Sequence, residues 1–369
     1  MNGKQYIVII EICSTTIKAA YATRKDGLLH IVALKQKAGV FMHRGILTNI
    51  NDIAFHIKNI CVLLQNETKQ NFEQVYLCCS NADDERFYQK NKESLDTIVS
   101  LLKKQSFDCQ IIKNPIMQAA SLFATTEEHS KGCIYIDLGA GNTHVLVRHQ
   151  GKTLMNRSIP VGGNDCTADI AKDLDISTDI AEKLKRKIGE ADTTLVEDDD
   201  KTLRFNYEGR IVRFYHKSLV QRIEDRLTTD CLGLYLNPLN EKQFFDKNEV
   251  TVILSGGGSQ IKNIGQLVKR LCNASQVRIA DSKQLLADDQ TEFHSPAYHS
   301  LLGVLATAEL FDLPEDNKGF IGRIIQGRKS KNSQEPVNTP KKDKNNTDKL
   351  IDNALASIWD GNDQEDNEQ

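Results

Sequence analysis

Ile136-Asp137-Leu138-Gly139-Ala140-Gly141-Asn142-Thr143-His144-Val145-Leu146-Val147 is the stretch whose reading settles the fold class. It reads as a buried strand carrying one acid, a tight turn of small residues, and a returning strand. The same pattern stands upstream in Ile10-Glu11-Ile12-Cys13-Ser14-Thr15-Thr16-Ile17-Lys18-Ala19-Ala20-Tyr21. Each copy is followed by a glycine-containing turn, Asp26-Gly27 and Gln150-Gly151, that starts a third strand. Such an internal echo predicts a duplicated α/β half, with two acid-bearing hairpins facing each other across a cleft.

The surrounding chain supports an α/β architecture. Tyr6 to Ile10, Val75 to Cys79, Cys133 to Ile136 and Thr251 to Leu254 read as strands. Between them apolar residues recur at helical spacing, as in Ile53, Ile57, Ile60, Cys61 and Leu64, or Ile261, Ile264, Leu267, Val268 and Leu271. The 369 residues, 40% hydrophobic and 26% charged, give room for a sizeable core and a length prior of roughly two domains. Lys+Arg 47 against Asp+Glu 50 leaves a net charge of -3, so no basic field draws the chain to nucleic acid. The apolar runs fall far short of the roughly 20 residues of a spanning helix, and Glu11 ends the first too early for a signal peptide. Nine cysteines without a Cys-x-x-Cys argue against a zinc module and a disulfide framework, so a reducing cytoplasm is the expected home.

Small residues after a buried strand let backbone N–H groups reach a phosphate, because no Cβ blocks the approach. Gly139 to Thr143 fits that role, and an acid just before such a turn can serve a magnesium ion through its water shell, which nominates Asp137 and Glu11. A third cluster, Ser255-Gly256-Gly257-Gly258-Ser259, follows a strand and is expected to open a helix from Gln260, with its backbone against a base or sugar. Any one of these clusters, taken alone, is more often a plain hairpin or helix start. Their ordered co-occurrence predicts a nucleotide cleft.

That order resembles the actin-like ATPase superfamily, with connecting helices at Asn114 to Ala120 and Ser295 to Gly303. Within it the chain is similar to the FtsA cell-division family, as a shortened, divergent member. The residues that carry this resemblance are Arg44-Gly45-Ile46-Leu47-Thr48-Asn49-Ile50, Ile159-Pro160-Val161-Gly162-Gly163, Ala168-Asp169-Ile170-Ala171, Ala181 to Lys185 with Gly189, and Ile253 to Ile261. The resemblance covers roughly Gln5 to Leu310. It implies two RNase H-like domains: domain I at 1–127 with 296–315, and domain II at 128–295 with an inserted subdomain at about 164–236. Residues 316–369 would form a linker and a terminal helix. It further implies ATP and Mg²⁺, with Ser14, Thr15, Thr16, Lys18, Gly139, Ala140, Gly141, Asn142, Thr143 and Gly163 around the phosphates. Gly256, Gly257 and Gly258 would face the adenosine, Glu182 and Lys185 the ribose, and Glu11 and Asp137 the metal. Without the family motif, Glu182 and Lys185 read as an exposed ion pair worth little.

Three departures qualify the resemblance. Glu11 and Cys13 stand where most relatives have an aspartate and a glycine, which lengthens the acid and fills space near a phosphate. Asn114 stands where the superfamily often has an acid before the connecting-helix proline, and it cannot act as a base, which leaves Gln118 to position water. Binding with slow or absent turnover is expected, with Asp137 and Gln118 as the residues nearest to a catalytic role. Finally, only Ser80 to Ser94 joins the strand Val75 to Cys79 to the helix Leu95 to Lys104, where FtsA relatives insert a whole subdomain. The family's mode of polymerisation is therefore not expected. The second inserted subdomain survives, including a helix expected to turn Leu219, Val220, Ile223, Leu227 and Leu234 inward, and in FtsA this region docks FtsZ.

The C-terminal stretch differs in kind. Arg328 to Lys349 has almost nothing to bury and reads as a disordered linker. Beyond it Ile351, Ala354, Leu355, Ile358 and Trp359 form the apolar stripe of a short amphipathic helix, suited to the membrane interface or to a partner protein. Acids at Asp360, Asp363, Glu365, Asp366 and Glu368 oppose anionic lipid. A second candidate anchor, Phe320, Ile321, Ile324 and Ile325, is broken by Gly319, Gly322 and Gly327. The resulting expectation is an ATP-binding cell-division protein on the inner face of the membrane, with FtsZ or another division protein as partner and room for self-association. The rival readings are a scaffold for another envelope machine, such as a rod-shape or pilus-assembly factor, and a small-molecule kinase of the same superfamily, for which no dedicated base stands out.

Overall fold

The structure is a computed structural model and describes residues 5–247, 249–286, 290–313 and 359–360. The chain opens with a three-stranded meander, β1 (Gln5–Ile12), β2 (Thr16–Lys25) and β3 (Leu28–Ala38), paired antiparallel. Asp26 and Gly27 both have positive φ, 53° and 81°, the twist that suits a two-residue hairpin turn. A small ribbon of β4 (Met42–His43) and β5 (Ile46–Leu47) leads into α1 (Ile50–Thr68), whose predicted stripe is buried. β6 (Gln74–Cys79) returns parallel to β1. α2 (Glu85–Lys103) and β7 (Asp108–Ile112) complete the layer, and α3 (Pro115–Phe123) and α4 (Thr126–Lys131) close this half.

α2 starts ten residues earlier than the periodicity suggested, because the Asp84 side chain caps it by accepting from the Arg86 amide. Only residues 80–84 join β6 to α2, so there is no room for an inserted subdomain at that point.

The second half repeats the plan. β8 (Cys133–Leu138), β9 (Thr143–His149) and β10 (Lys152–Ile159) form a second meander, with positive φ at Gln150 and Gly151. There follow α5 (Gly163–Leu174), α6 (Thr178–Ile188), the hairpin β11 (Thr202–Tyr207) and β12 (Arg210–Tyr215), α7 (His216–Thr229), α8 (Gly233–Glu241) and α9 (Phe244–Lys247). β13 (Thr251–Ser255), α10 (Ile264–Leu271) and β14 (Gln276–Ile279) finish the second sheet. α11 (His299–Thr307) and β15 (Phe311–Asp312) return to the first half, where β15 pairs with β1. The sheet orders β3-β2-β1-β6-β7 and β10-β9-β8-β13-β14 are the same topology twice. β1 and β8 lie between neighbours on both sides, which is why they are almost wholly buried.

The two connecting helices cross at a point where only glycine fits. A Cβ on Gly303 of α11 would lie 2.5 Å from the Ala119 Cα of α3. The glycine cluster after β13 forms a single 3-10 turn over Gly257–Gln260, and α10 begins only at Ile264, after Asn263 at φ 64°. Leu234, expected inward, is 54% exposed, because α7 stops at Thr229 and α8 starts with a different phase.

The chain divides into two compact units. The first holds both sheets and comprises the described residues of Met1–Asp165, Thr228–Gln260 and Ile264–Asn317. The second comprises those of Cys166–Leu227, Ile261–Asn263 and Lys318–Gln369. Its core is α6, α7 and the β11–β12 hairpin, with Leu184, Phe205, Val220 and Ile223 buried. In it β16 (Trp359–Asp360) pairs antiparallel with β11. Trp359, expected to end a helical stripe, is therefore strand, since the edge of β11 away from β12 offers backbone partners that an isolated short helix lacks. Ile351, Leu355 and Ile358, and the second candidate stripe at Phe320 to Ile325, lie outside the described residues. Among the described residues no helix is long and apolar enough to cross a membrane.

Candidate nucleotide site

Both hairpins of the first unit are held in the same way. In the first, the Cys13 amide donates to the Thr16 carbonyl at 2.8 Å and closes the turn. The Ser14 and Thr15 carbonyls are then taken from behind by the amides of Phe41 and Gly39, at 2.9 and 3.0 Å. In the second, the Gly139 amide donates to the Asn142 carbonyl at 2.9 Å. The carbonyls of Gly139 and Ala140 accept from Gly163 and Asn164 at the start of α5, at 3.0 and 2.7 Å. The carbonyls are engaged, while the amides of Ser14 and Thr15, and of Ala140, Gly141 and Asn142, make no hydrogen bond among the described residues. Runs of such amides form an anion-binding nest.

The hairpin tips meet. Asn142 Oδ1 accepts from Ser14 Oγ at 3.3 Å and from Ser80 Oγ at 3.4 Å. A Cβ on Gly141 would lie 2.7 Å from the Ser14 side chain, so the close approach requires glycine there. Thr143 turns its hydroxyl to the Val161 carbonyl and accepts from Cys231 Sγ, so it braces the hairpin from within the core. Thr16 opens β2 opposite Ala38.

The two acids differ. Glu11 and Lys18 are cross-strand partners in β1 and β2, and the fully buried Glu11 carboxylate accepts from Lys18 Nζ at 3.1 Å. Its other oxygen accepts from the Ser300 hydroxyl, and Lys18 also donates to the Ala297 carbonyl at 2.6 Å. The longer Glu11 side chain thus reaches an ion pair, with both oxygens engaged, where a metal role had been expected. Asp137 is paired in register with Ser255 across β8 and β13, and its Oδ2 accepts from Ser255 Oγ at 3.0 Å. Burial, with the Glu11 charge nearby, pushes its pKa up to about 6. Among the described residues no cluster of three or more His, Cys, Asp or Glu could hold a metal. The Asp137 oxygen that has no hydrogen bond among the described residues suits an ion that keeps most of its waters and takes its remaining ligands from phosphate.

Gln118 leaves its Oε1 buried and unpartnered, while its Nε2 donates to Asn114. An acid without any local signal stands at the start of α3 instead. Asp83 accepts from the Ile116 and Met117 amides, both at 2.8 Å, and so caps α3 from another loop. Gly256 turns with φ 76° and donates its amide to the Pro296 carbonyl at 3.1 Å, which ties the glycine turn, with Gly257 and Gly258, to the start of α11. Glu182 and Lys185 lie in the second unit. Lys185 Nζ donates to Glu182 at 2.5 Å and to Thr167 Oγ1 at 2.7 Å; the lysine is 8% exposed and the glutamate 31%, so the pair is half-buried rather than an exposed surface contact.

A twice-repeated sheet of this topology, with paired amide-bearing hairpins, defines an actin-like fold. Solved structures agree: the chain aligns with MreB 5 of Spiroplasma citri bound to AMPPNP over 88% of this chain and 99% of that one, at TM-score 0.57 and 16% identity. It aligns with a PilM-PilN type IV pilus biogenesis complex at TM-score 0.57 and 14% identity, over 81% of this chain and 97% of that one. More particularly, residues 134–303 match the family model described as Cell division protein FtsA. FtsA of Borreliella burgdorferi is 24% identical over 190 residues, 50% of this chain and 45% of the relative. FtsA of Staphylococcus epidermidis is 26% identical over 243 residues, 64% of this chain and 51% of the relative. The chain is thus similar to FtsA proteins over part of its length, and these matches span about half the length of each relative.

Proposed function

We propose that this chain is an FtsA-like division protein that binds ATP between its two hairpins and tethers a division-ring partner, such as FtsZ, to the cytoplasmic face of the membrane. The single observation that carries the nucleotide reading is the pair of matched turns whose carbonyls are pinned and whose amides have no partner among the described residues. The polyphosphate would lie between Ser14–Thr15 and Ala140–Asn142, with Gly256 to Gly258 beside the adenosine. Asp137 would hold the waters of a magnesium ion, which supplies charge neutralisation of the phosphates when bound. Gln118, with its unpartnered oxygen, is the group left to orient water, so turnover is slow or absent.

Titration of a fluorescent ATP analogue into the full chain, with and without magnesium, tests the cleft. A saturable signal displaced by unlabelled ATP supports it, and the absence of both binding and any ATP-dependent rise in melting temperature removes it. Vesicle pelleting of the full chain against one ending at Lys349 tests the tether, and co-pelleting with FtsZ polymers tests the partner.

A further inference from the structure

The second sheet ends in an edge that is only partly closed. Among the described residues β10 pairs with β9 alone, so its far side carries outward backbone groups. Near its end that side is already satisfied by side chains that imitate a neighbouring strand. The Ser158 amide donates to Asp84 Oδ2 at 2.9 Å, and the Ser158 carbonyl accepts from Arg86 Nη2 at 3.4 Å. Two residues earlier, in phase with this pair, the Asn156 carbonyl accepts, among the described residues, only from its neighbour Arg157, at 3.0 Å. The register shifts between Thr153 and Met155, and Leu154 stands 56% exposed. A groove of about 570 Å³ runs here, lined by Arg86, Thr153 to Arg157 and Tyr235.

The charge of this groove is one-sided. Arg86 is paired with Asp84, but among the described residues Arg157, and Lys152 next to the groove in β10, have no carboxylate partner, and no acid lines the groove itself. A bulge and a lysine at an edge are also what guards a sheet against unwanted pairing. An exposed apolar Leu154 that lines a recess together with Tyr235 goes beyond what a guard requires.

We infer that the β10 edge is a docking site for an extended acidic segment of a partner protein, which adds as a strand alongside Leu154 to Arg157 and sets carboxylates on Arg157 and Lys152. Backbone pairing supplies the attachment and the basic side chains the selectivity. This surface is separate from the hairpin tips, so it holds whether or not ATP binds.

The test is selection of binders to the full chain from a random decapeptide display library, followed by fluorescence polarisation with the enriched peptides. The expected result is enrichment of Asp and Glu at alternate positions, with affinity falling at least tenfold for the Arg157→Glu chain. Methylating the peptide's backbone nitrogens at alternate residues should cause a similar loss, and hydrogen exchange should slow at Leu154 to Asn156 when peptide is bound. Peptides that bind the Arg157→Glu chain equally well, peptides that tolerate N-methylation, or a library that yields no binder sensitive to β10, would each overturn the proposal.

Discussion

The two hairpins share one backbone plan and use their acids in opposite ways. In the first, Glu11 is a cross-strand partner of Lys18 and is sealed by Ser300, so its charge is part of the core. In the second, Asp137 has one hydroxyl partner, Ser255, and keeps an oxygen without a bond among the described residues. One added methylene lets the first acid reach an ion pair, while the shorter acid stays at the mouth of the turn. Duplication repeats the scaffold, and side-chain reach decides which copy keeps an acid available to a ligand.

The largest effect expected from this contrast is on stability. Lys18→Met leaves Glu11 charged and buried with only a hydroxyl, which should cost about 3–5 kcal/mol in denaturant unfolding. Loss of less than 1 kcal/mol would mean that the pair is not sealed. Asp137 should show its state through pH. Its folded pKa of about 6 exceeds the ordinary 3.8, so the native state holds that proton more tightly than the unfolded chain. The stability this contributes is complete below about pH 4 and is lost as pH rises through about 6. Melting curves should therefore fall across that window, and Asp137→Asn should flatten them. An unchanged slope in the variant would place the titrating group elsewhere.

A third expectation concerns the contact between the tips. Gly141→Ala drives a methyl into Ser14, and overpacking of this kind costs about 1–3 kcal/mol. Ser14→Gly in the same chain should restore most of the loss, and an additive double variant would show that the tips do not touch. The smallest effect is that of Ser255→Ala, which removes one hydrogen bond to Asp137 and should cost about 1 kcal/mol, read by chemical denaturation.

Much of this molecule was legible in its residues because the relevant signals are local. The acid-bearing strand and small-residue turn at Asp137 to Thr143, its echo at Glu11 to Thr16, and the Asp26-Gly27 and Gln150-Gly151 turns are each contained within a dozen residues. Alternation and turn chemistry act over that range. The early start of α2 was missed because it rests on the Asp84 side chain, and the exposure of Leu234 because a helix break resets the phase. Asp83 carried no signal at all, since the amides it caps lie 33 and 34 residues away.

The sequence by itself determined the duplicated α/β plan, the positions of both turns and the FtsA-like character of residues 134–303, since periodicity and motif spacing are properties of the chain order. Only the tertiary structure decided that Glu11 belongs to Lys18, that Asp137 belongs to Ser255, that Lys185 is buried, and that β10 is an edge. Strand register and helix packing bring together residues far apart in the chain, 307 positions for Gln5 and Asp312 and 289 for Glu11 and Ser300. Burial then sets which charges must find a partner, and no local pattern encodes either.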